Sequence, residues 1–342
     1  MNAVNTNKKL TVSSSPHFRS PDTSSRIMID VIIALVPSLI AAFIFFGPRS
    51  LLVVATCVAT CVVAEYYSRK AMKRHNTIGD FSAVVTGLLL AFNLPVTIPL
   101  WIAAIGSVVA IVVVKQFFGG IGKNFVNPAL VGRIVLMSSF ATQMSNWTKP
   151  LAWMGADVST TASPLASLKN MLSAGDVSAS AFANENLPSL LDMFLGNRAG
   201  CLGESCVLAL ILGGIYLCIR RVIKPTIPLC YIGTVALVML IAGKGSLTFV
   251  AYELLGGGLM LGAIFMATDY ATTPINTKGM IIFGIGCGLL TSVIRLFGVL
   301  PEGVSFSIII MNILVPHIEH LTTPRPFGSE KKKKIKAKEE TK

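Results

Sequence analysis

Gly87-Leu88-Leu89-Leu90-Ala91-Phe92, closed by Asn93-Leu94-Pro95, and Gly258-Leu259-Met260-Leu261-Gly262-Ala263-Ile264-Phe265, closed by Thr268-Asp269 and then Pro274, decide how this chain folds. Each is an apolar run of helical character cut short by polar residues and proline. Interrupted helices at membrane depth are tolerated only where protein or a cavity covers the freed backbone groups. A matched pair of them in two halves of a chain points to a binding site. The two stretches lie 171 residues apart in a chain of 342, so they fall at equivalent places in its two halves. An echo this short and apolar also arises by chance; the shared position beside a broken helix is what favours a repeat.

Further apolar runs fall near residues 27–46, 51–67, 100–117, 126–142, 204–219, 228–243, 279–298 and 303–318, beside the two interrupted runs at 81–94 and 248–267. Crossing a bilayer takes about 20 apolar residues per helix. The expected fold is an all-α membrane protein of ten transmembrane helices, arranged as two inverted five-helix repeats with broken helices. The repeats occupy 27–142 and 204–318, flanked by an N-terminal arm (1–26), a long segment between them (143–203) and a basic tail (319–342). A repeat with an odd number of spans must enter from opposite sides, which gives the inversion.

Composition agrees. Hydrophobic residues are 53% and charged residues 13% of the chain, with a mean hydropathy of +0.70, against about a quarter charged in soluble domains. The net charge of +13 does not point to nucleic acid, because much of it sits in the lysine-rich tail after the last apolar run. A basic cluster there reads as cytoplasmic retention and contact with anionic lipid. Lys8, Lys9, Arg19, Arg26, Arg69, Lys70, Lys73, Arg74, Lys115, Lys123, Arg220, Arg221, Lys224 and Lys278 join the tail on one side; Arg49, Lys149, Lys169, Arg198, Lys244 and Arg295 fall on the other. The positive-inside rule then puts both termini in the cytoplasm and 143–203 outside. The arm is polar, with no apolar core or cleavage site of a signal peptide. The seven cysteines include no CxxC pair, which argues against an iron–sulfur site held by this chain alone. Cys201 and Cys206 would pair only on an oxidising side.

Four polar stretches are candidates for chemistry. In Gly119-Gly120-Ile121-Gly122-Lys123-Asn124-Phe125-Val126-Asn127-Pro128-Ala129, Pro128 suits the first turn of a helix, whose exposed amides can meet a phosphate or a ring edge; a tight turn explains the glycines equally well. Gly155-Ala156-Asp157-Val158-Ser159-Thr160-Thr161-Ala162-Ser163-Pro164 offers clustered hydroxyls, with Ser163-Pro164 able to open a short helix, though an ordinary loop looks similar. Gly196-Asn197-Arg198-Ala199-Gly200-Cys201-Leu202-Gly203-Glu204 permits a re-entrant turn, with Arg198 and Glu204 able to pair. Phe265-Met266-Ala267-Thr268-Asp269 sets an acid beside a broken helix. Such carboxylates by default mark an ion or ligand path, with Thr86, Asn93 and Thr268 lining the same breaks; a helix cap at the surface is the plain alternative for Asp269. Asp30 in the first span raises the same question more weakly.

Taken jointly these stretches, with Ser15-Pro16-His17, Thr86-Gly87-Leu88-Leu89-Leu90, Leu94-Pro95 and Pro301-Glu302-Gly303-Val304, resemble the D subunit of Rnf electron-transport complexes, a family related to the B subunit of sodium-pumping NADH:quinone reductase. The resemblance runs from the arm to the last span. It implies a hydroxyl in an Asp-x-x-Ser/Thr-x-Ala-Thr motif that carries FMN through a phosphoester, attached by a separate flavin transferase. That motif aligns Asp157, Thr160, Thr161, Ala162 and Ser163, making Ser163 the acceptor position and Thr161 the second choice. Threonine is usual there, but a serine hydroxyl forms the same ester. Asn127, Arg198 and Glu204 are the further flavin-binding candidates.

The resemblance further implies a second, non-covalent flavin (riboflavin) between the repeats near the cytoplasmic side. It implies partner subunits of the A, B, C, E and G types in a bacterial cytoplasmic (inner) membrane, electrons that come from ferredoxin and pass toward NAD⁺ or a quinone, and coupling to Na⁺ or H⁺. On this view the chain is an enzyme only as a subunit of a ferredoxin:NAD⁺ oxidoreductase, with no complete active site of its own and no metal. The competing class is a small-solute channel or secondary transporter, since inverted repeats with broken helices serve those too. A channel has no need of the hydroxyl motif.

Overall fold

The structure, a computed structural model, describes residues 22–155, 163–174, 187–298 and 302–324. Asp157, Thr160, Thr161 and Ala162, the N-terminal signature and the basic tail lie outside the described residues. No strand occurs among those described. The helices are α1 (Ser24–Phe46), α2 (Pro48–Ala71), α3 (Ser82–Phe92), α4 (Leu100–Gln116), α5 (Pro128–Ser139), α6 (Pro164–Ala174), α7 (Leu190–Leu195), α8 (Val207–Ile219), α9 (Thr226–Ala242), α10 (Leu247–Leu255), α11 (Leu259–Met266), α12 (Thr277–Phe297) and α13 (Val304–Thr322). The second half of α4, Val109–Gln116, and the end of α11, Gly262–Met266, are wound as π-helix.

Four of these, α1, α2, α12 and α13, are long and apolar enough to cross a membrane alone, and α10 with α11 passes as one bent span. α3, α4, α5, α8 and α9 are shorter apolar helices. The molecule is a multi-pass membrane protein. α1 shows why: Ile29, Ile33, Val36, Ile40 and Ile44 are exposed in a helical stripe, while the opposite face buries Asp30, Ala34, Leu35, Ser38 and Ala42. An apolar stripe facing outward on a buried polar face suits lipid, where helices associate through close packing and polar contacts.

Helix directions follow from which residues meet. Tyr216 and Arg220 reach Asp30 while Gly213 lies against Ala34, so α8 runs antiparallel to α1. A Cβ on Gly213 would collide with the Ala34 carbonyl oxygen, which is why glycine occupies that crossing. Asn127 meets Asn312, and Arg133 meets Ser305, so α13 runs antiparallel to α5. Within the halves, Cys61 and Glu65 of α2 meet Ser107 and Lys115 of α4 in parallel, as Cys230 and Thr234 of α9 meet Gly284 and Gly288 of α12.

One expectation needs correction. The sequence reads 248–267 as a single span ending in a break at Thr268. The chain bends by 66° earlier, between α10 and α11, at Gly256-Gly257-Gly258. Three glycines in a row hold a helix poorly, and Gly257 takes φ +60°. The apolar residues on either side hid the bend.

Candidate functional site

Two polar regions lie at opposite ends of the bundle. The basic end is built from loops 72–81, 117–127 and 267–276; the Ser163 end from 140–155, 163–174, 196–206, 298 and 302–303.

At the basic end α5 begins at Pro128, with Asn127 as its N-cap: the Asn127 side chain accepts from the Ala129 amide (3.0 Å) and donates to the Met266 carbonyl (3.3 Å). Asn127 therefore bridges the start of α5 and the end of α11. A cavity opens beside it, lined on its polar side by Ser82, Thr86, Lys115, Asn124, Asn127, Thr268 and Asp269, and on its apolar side by Ile27, Val85, Leu89 and Phe265 among others. Lys115, which the charge pattern placed in a cytoplasmic loop, is buried on the π-wound end of α4. It donates to Glu65 (2.8 Å) and Ser82 (2.7 Å), and Thr77 donates to the other Glu65 oxygen (2.7 Å). Asp269 follows α11 and is held in a turn, accepting from the Thr272 hydroxyl (3.2 Å) while Thr273 bonds its carbonyl (2.7 Å). Burial raises its carboxyl above the usual range, against the pull of the Thr272 bond.

The Ser163 end is denser in charge. α3 stops at Phe92, and its freed carbonyls meet the re-entrant turn: Gly203 N donates to Phe92 O (2.9 Å), Leu202 N to Leu94 O (3.1 Å), and Cys201 Sγ to Asn93 O (3.3 Å). A Cβ on Gly203 would collide with that of Phe92, so only glycine lets the backbones come this close. The α10–α11 bend is answered by arginines instead. Arg295 donates to the carbonyls of Glu253 (2.6 Å) and Gly256 (3.2 Å) and to the Glu253 carboxylate (2.9 Å), and Arg198 to the Gly257 carbonyl (3.4 Å). Arg133, 2% exposed, joins the α3 break to the start of α13: it donates to Asn93 Oδ1 (2.8 Å), Ser305 Oγ (3.0 Å) and, in direct contact, Glu302.

Arg198 and Glu204 do not form the expected side-chain pair. Arg198 grips the carbonyls of Glu204 and Ser205, while the Glu204 carboxylate faces Arg133 (4.0 Å) and the Cys201 amide (3.3 Å). The local main-chain turn puts those carbonyls within easier reach. Cys201 and Cys206 are free thiols.

Ser163 precedes α6, which Pro164 opens as the sequence suggests, and Ala166 N bonds both its carbonyl (2.9 Å) and its hydroxyl (3.4 Å). α6 is fixed to the second half of the chain: Leu165 packs on Gly256 and Gly257, and Lys169 bonds the Gly298 carbonyl. Ser163 consequently lines a cavity with Arg133, Glu302, Met137, Ala141, Met144, Ser145 and Trp147.

The structure thus gathers Asn127, Thr86, Thr268 and Asp269 at one cavity, and Ser163 at the other with Arg133 and Glu302; Arg198 and Glu204 line neither cavity. Asn93 does not line the basic-end cavity; it belongs to the Arg133 cluster, and also contacts Met266 Sδ (3.6 Å) where the two broken helices meet. Sequence reasoning gives no role to Arg133, Glu253 and Arg295, which lie inside apolar runs, and takes Glu302 only as part of a family signature. The signal was present, since an ionisable residue inside an apolar run is costly and marks function by default; it was applied to Asp30 and Asp269 alone.

Comparison with known proteins settles the family. Residues 11–328 match the NQR2, RnfD, RnfE family model. This chain belongs to that family. It is 46% identical over 337 residues to the D subunit of the Na⁺-translocating ferredoxin:NAD⁺ oxidoreductase complex of Acetobacterium woodii, covering 98% of this chain and 99% of the relative. It is 42% identical over 324 residues to the D subunit of the proton-translocating ferredoxin:NAD⁺ oxidoreductase complex of Clostridium ljungdahlii, covering 94% and 97%. The D subunit of the ion-translocating oxidoreductase complex of Stutzerimonas stutzeri is 37% identical over 334 residues, covering 89% and 92%. These relatives are named as oxidoreductase subunits, which does not favour the channel alternative.

Proposed function

We propose that this chain is the flavin-carrying membrane subunit of an ion-translocating ferredoxin:NAD⁺ oxidoreductase, with FMN esterified to Ser163 and riboflavin held non-covalently at the basic end. The ten helical segments then form two inverted five-helix repeats, a reading supported by the antiparallel pairs α1–α8 and α5–α13. Both termini face the cytoplasm of the bacterial inner membrane, and Ser163 faces the other side. The partners are the remaining Rnf-type subunits, and a flavin transferase during maturation.

The observation that carries the reading is the position of Ser163. Its hydroxyl stands before the first turn of an eleven-residue helix and on the wall of a cavity that holds a buried guanidinium. A phosphoester there meets the positive end of the α6 dipole, and Arg133 supplies a fixed positive charge beside it. Met137, Met144 and Trp147 give the apolar wall an aromatic ring system needs. At the basic end, Asn124 and Asn127 offer amide donors and acceptors beside apolar Val85, Leu89 and Phe265, a donor set that suits a planar ring with a polar edge. The flavins, when bound, supply the electron chemistry; the protein holds them, orients them and excludes water. No side chain is required as acid, base or nucleophile towards an outside substrate.

The test is the chain co-produced with its transferase, separated on a denaturing gel and viewed under ultraviolet light. The band fluoresces, intact mass rises by one FMN phosphoester, and Ser163→Ala abolishes both. Denaturation of the same preparation releases riboflavin into the supernatant. A dark wild-type band of unmodified mass refutes the FMN assignment, and a flavin-free supernatant refutes the second site.

A further inference from the structure

Cys201 Sγ and the carboxylates of Glu204 and Glu302 lie within 4.8 Å of one another, and the cation set among them is the Arg133 guanidinium. Among the described residues only one guanidinium reaches these two carboxylates directly, because Arg198 is spent on the carbonyls of Glu204 and Ser205 and Arg295 on Glu253. Glu302 takes the direct contact with Arg133, Glu204 stands 4.0 Å away, and among the described residues the second oxygen of Glu204 is buried without a hydrogen-bond partner. A guanidinium does not release its proton in a protein, so the exchangeable proton of this cluster belongs to a carboxyl. Of the two, Glu302 lines the cavity shared with Ser163, and Glu204 does not.

Resting on the reading that FMN is attached at Ser163, we propose that Glu302 binds one proton when that flavin is reduced, with Arg133 and Glu204 as the residues that position it for the exchange. An electron delivered to the isoalloxazine, by a partner subunit in the complex or by a mediator in solution, adds one negative charge beside the cluster. The Glu302 carboxylate takes one proton from water on the Ser163 side and becomes the neutral acid, so the charge of the site returns to its former value. On oxidation the electron leaves and the proton returns to water.

The groups facing Glu302 set the balance. Arg133 comes from α5, Glu204, Cys201 and Arg198 from the re-entrant turn, Arg295 from α12 and Ser305 from α13. Burial and the charge of Glu204 push the Glu302 carboxyl well above the usual carboxylate range, against the pull of Arg133, Arg295 and Arg198. A carboxyl whose acid form is favoured by burial and a neighbouring carboxylate takes up a proton more readily when one more negative charge is set beside it.

Redox titration of the covalently attached flavin at several pH values between 5.5 and 8.5, on the purified complex, tests this. The wild-type midpoint potential falls as pH rises through neutrality more steeply than that of Glu302→Gln, and Glu302→Asp, which keeps the carboxyl, restores the slope. A redox-difference infrared spectrum of the wild type alone gains a protonated-carboxyl band on reduction, so the idea stays testable if a variant fails to assemble. Equal slopes in wild type and Glu302→Gln, or no carboxyl band on a fluorescent wild-type chain, overturn the proposal and leave the FMN assignment standing. A dark wild-type band removes both.

Discussion

The two ends of the bundle solve the same problem, polar groups inside an apolar molecule, by opposite means. At the Ser163 end, Arg133, Arg198 and Arg295 are set against Glu204, Glu253 and Glu302, and the guanidinium groups also answer carbonyls freed at the helix breaks. At the basic end the main buried ion pair is Lys115–Glu65, and the remaining polar wall is amide and hydroxyl with the single carboxyl of Asp269. The difference matters for function. A network of directed charges is rigid and fixes the local potential, whereas amides and hydroxyls can turn to meet a neutral ring. The Ser163 end therefore suits a group whose charge changes in place, and the basic end suits a group that is held without a covalent bond.

The greatest loss should come from breaking the charged end at its centre. Arg133→Met leaves Glu302 and Glu204 without their shared cation and strips Asn93 and Ser305 of a donor. Removing one partner of a buried pair costs about 3–5 kcal/mol, so the variant should lose most of its folded yield and its thermal transition should fall well below that of wild type. Adding Glu302→Gln should recover part of the loss, because it removes one orphaned charge. If the double variant is no better than the single, the network is not coupled in the way described.

Next comes the neutral half of the same end. Gly203→Val places a side chain on Phe92 at the closest backbone approach between the re-entrant turn and α3. Overpacking of this kind costs about 1–3 kcal/mol. Pulling Leu202 and Gly203 away also leaves the Phe92 and Leu94 carbonyls unpaired. Thermal unfolding of the variant should show this loss together with faster hydrogen exchange at the amides of 202 and 203. Unchanged exchange would mean that those carbonyls find other partners.

Much of this was legible in the sequence, and the rest was hidden for identifiable reasons. Each predicted apolar run contains a helix, because a long apolar run leaves the backbone no alternative in lipid. The Asn93-Leu94-Pro95 stop was visible because proline forbids continuation. The bend at Gly256-Gly257-Gly258 was not, because glycine inside an apolar run reads as packing as easily as a break. Ser163-Pro164 announced a helix start, while the neighbours of Ser163 could not be seen: Arg133 and Glu302 are 30 and 139 residues away in the chain and meet it only in the fold. Arg198 and Glu204 share the turn at 196–206 but do not pair through their side chains, since spacing does not distinguish a carboxylate from the carbonyl on the same residue.

Asp269 should perturb the structure least and report on function most clearly. Its carboxyl is held by the Thr272 hydroxyl in a tight turn beside the cavity, so a capping role and a role in an ion path both fit its position. Asp269→Asn separates them. Asparagine keeps an acceptor oxygen for Thr272, so the turn survives and stability should change by less than about 1 kcal/mol. The sign also follows. Burial raises the carboxyl above its unfolded value, so the folded chain holds this proton more tightly, and stability declines as pH rises through the window between the two values. The amide, which does not titrate, removes that decline, so the variant at neutral pH should be no less stable than wild type and flatter with pH. Ion uptake driven by electron transfer in sealed vesicles should nevertheless fall several-fold, with the covalent flavin still present on a gel, because the amide lacks the negative charge that draws a passing cation. A variant that transports as wild type does would leave Asp269 as a cap, and would shift the search for the ion path at the basic end to Lys115 and Glu65.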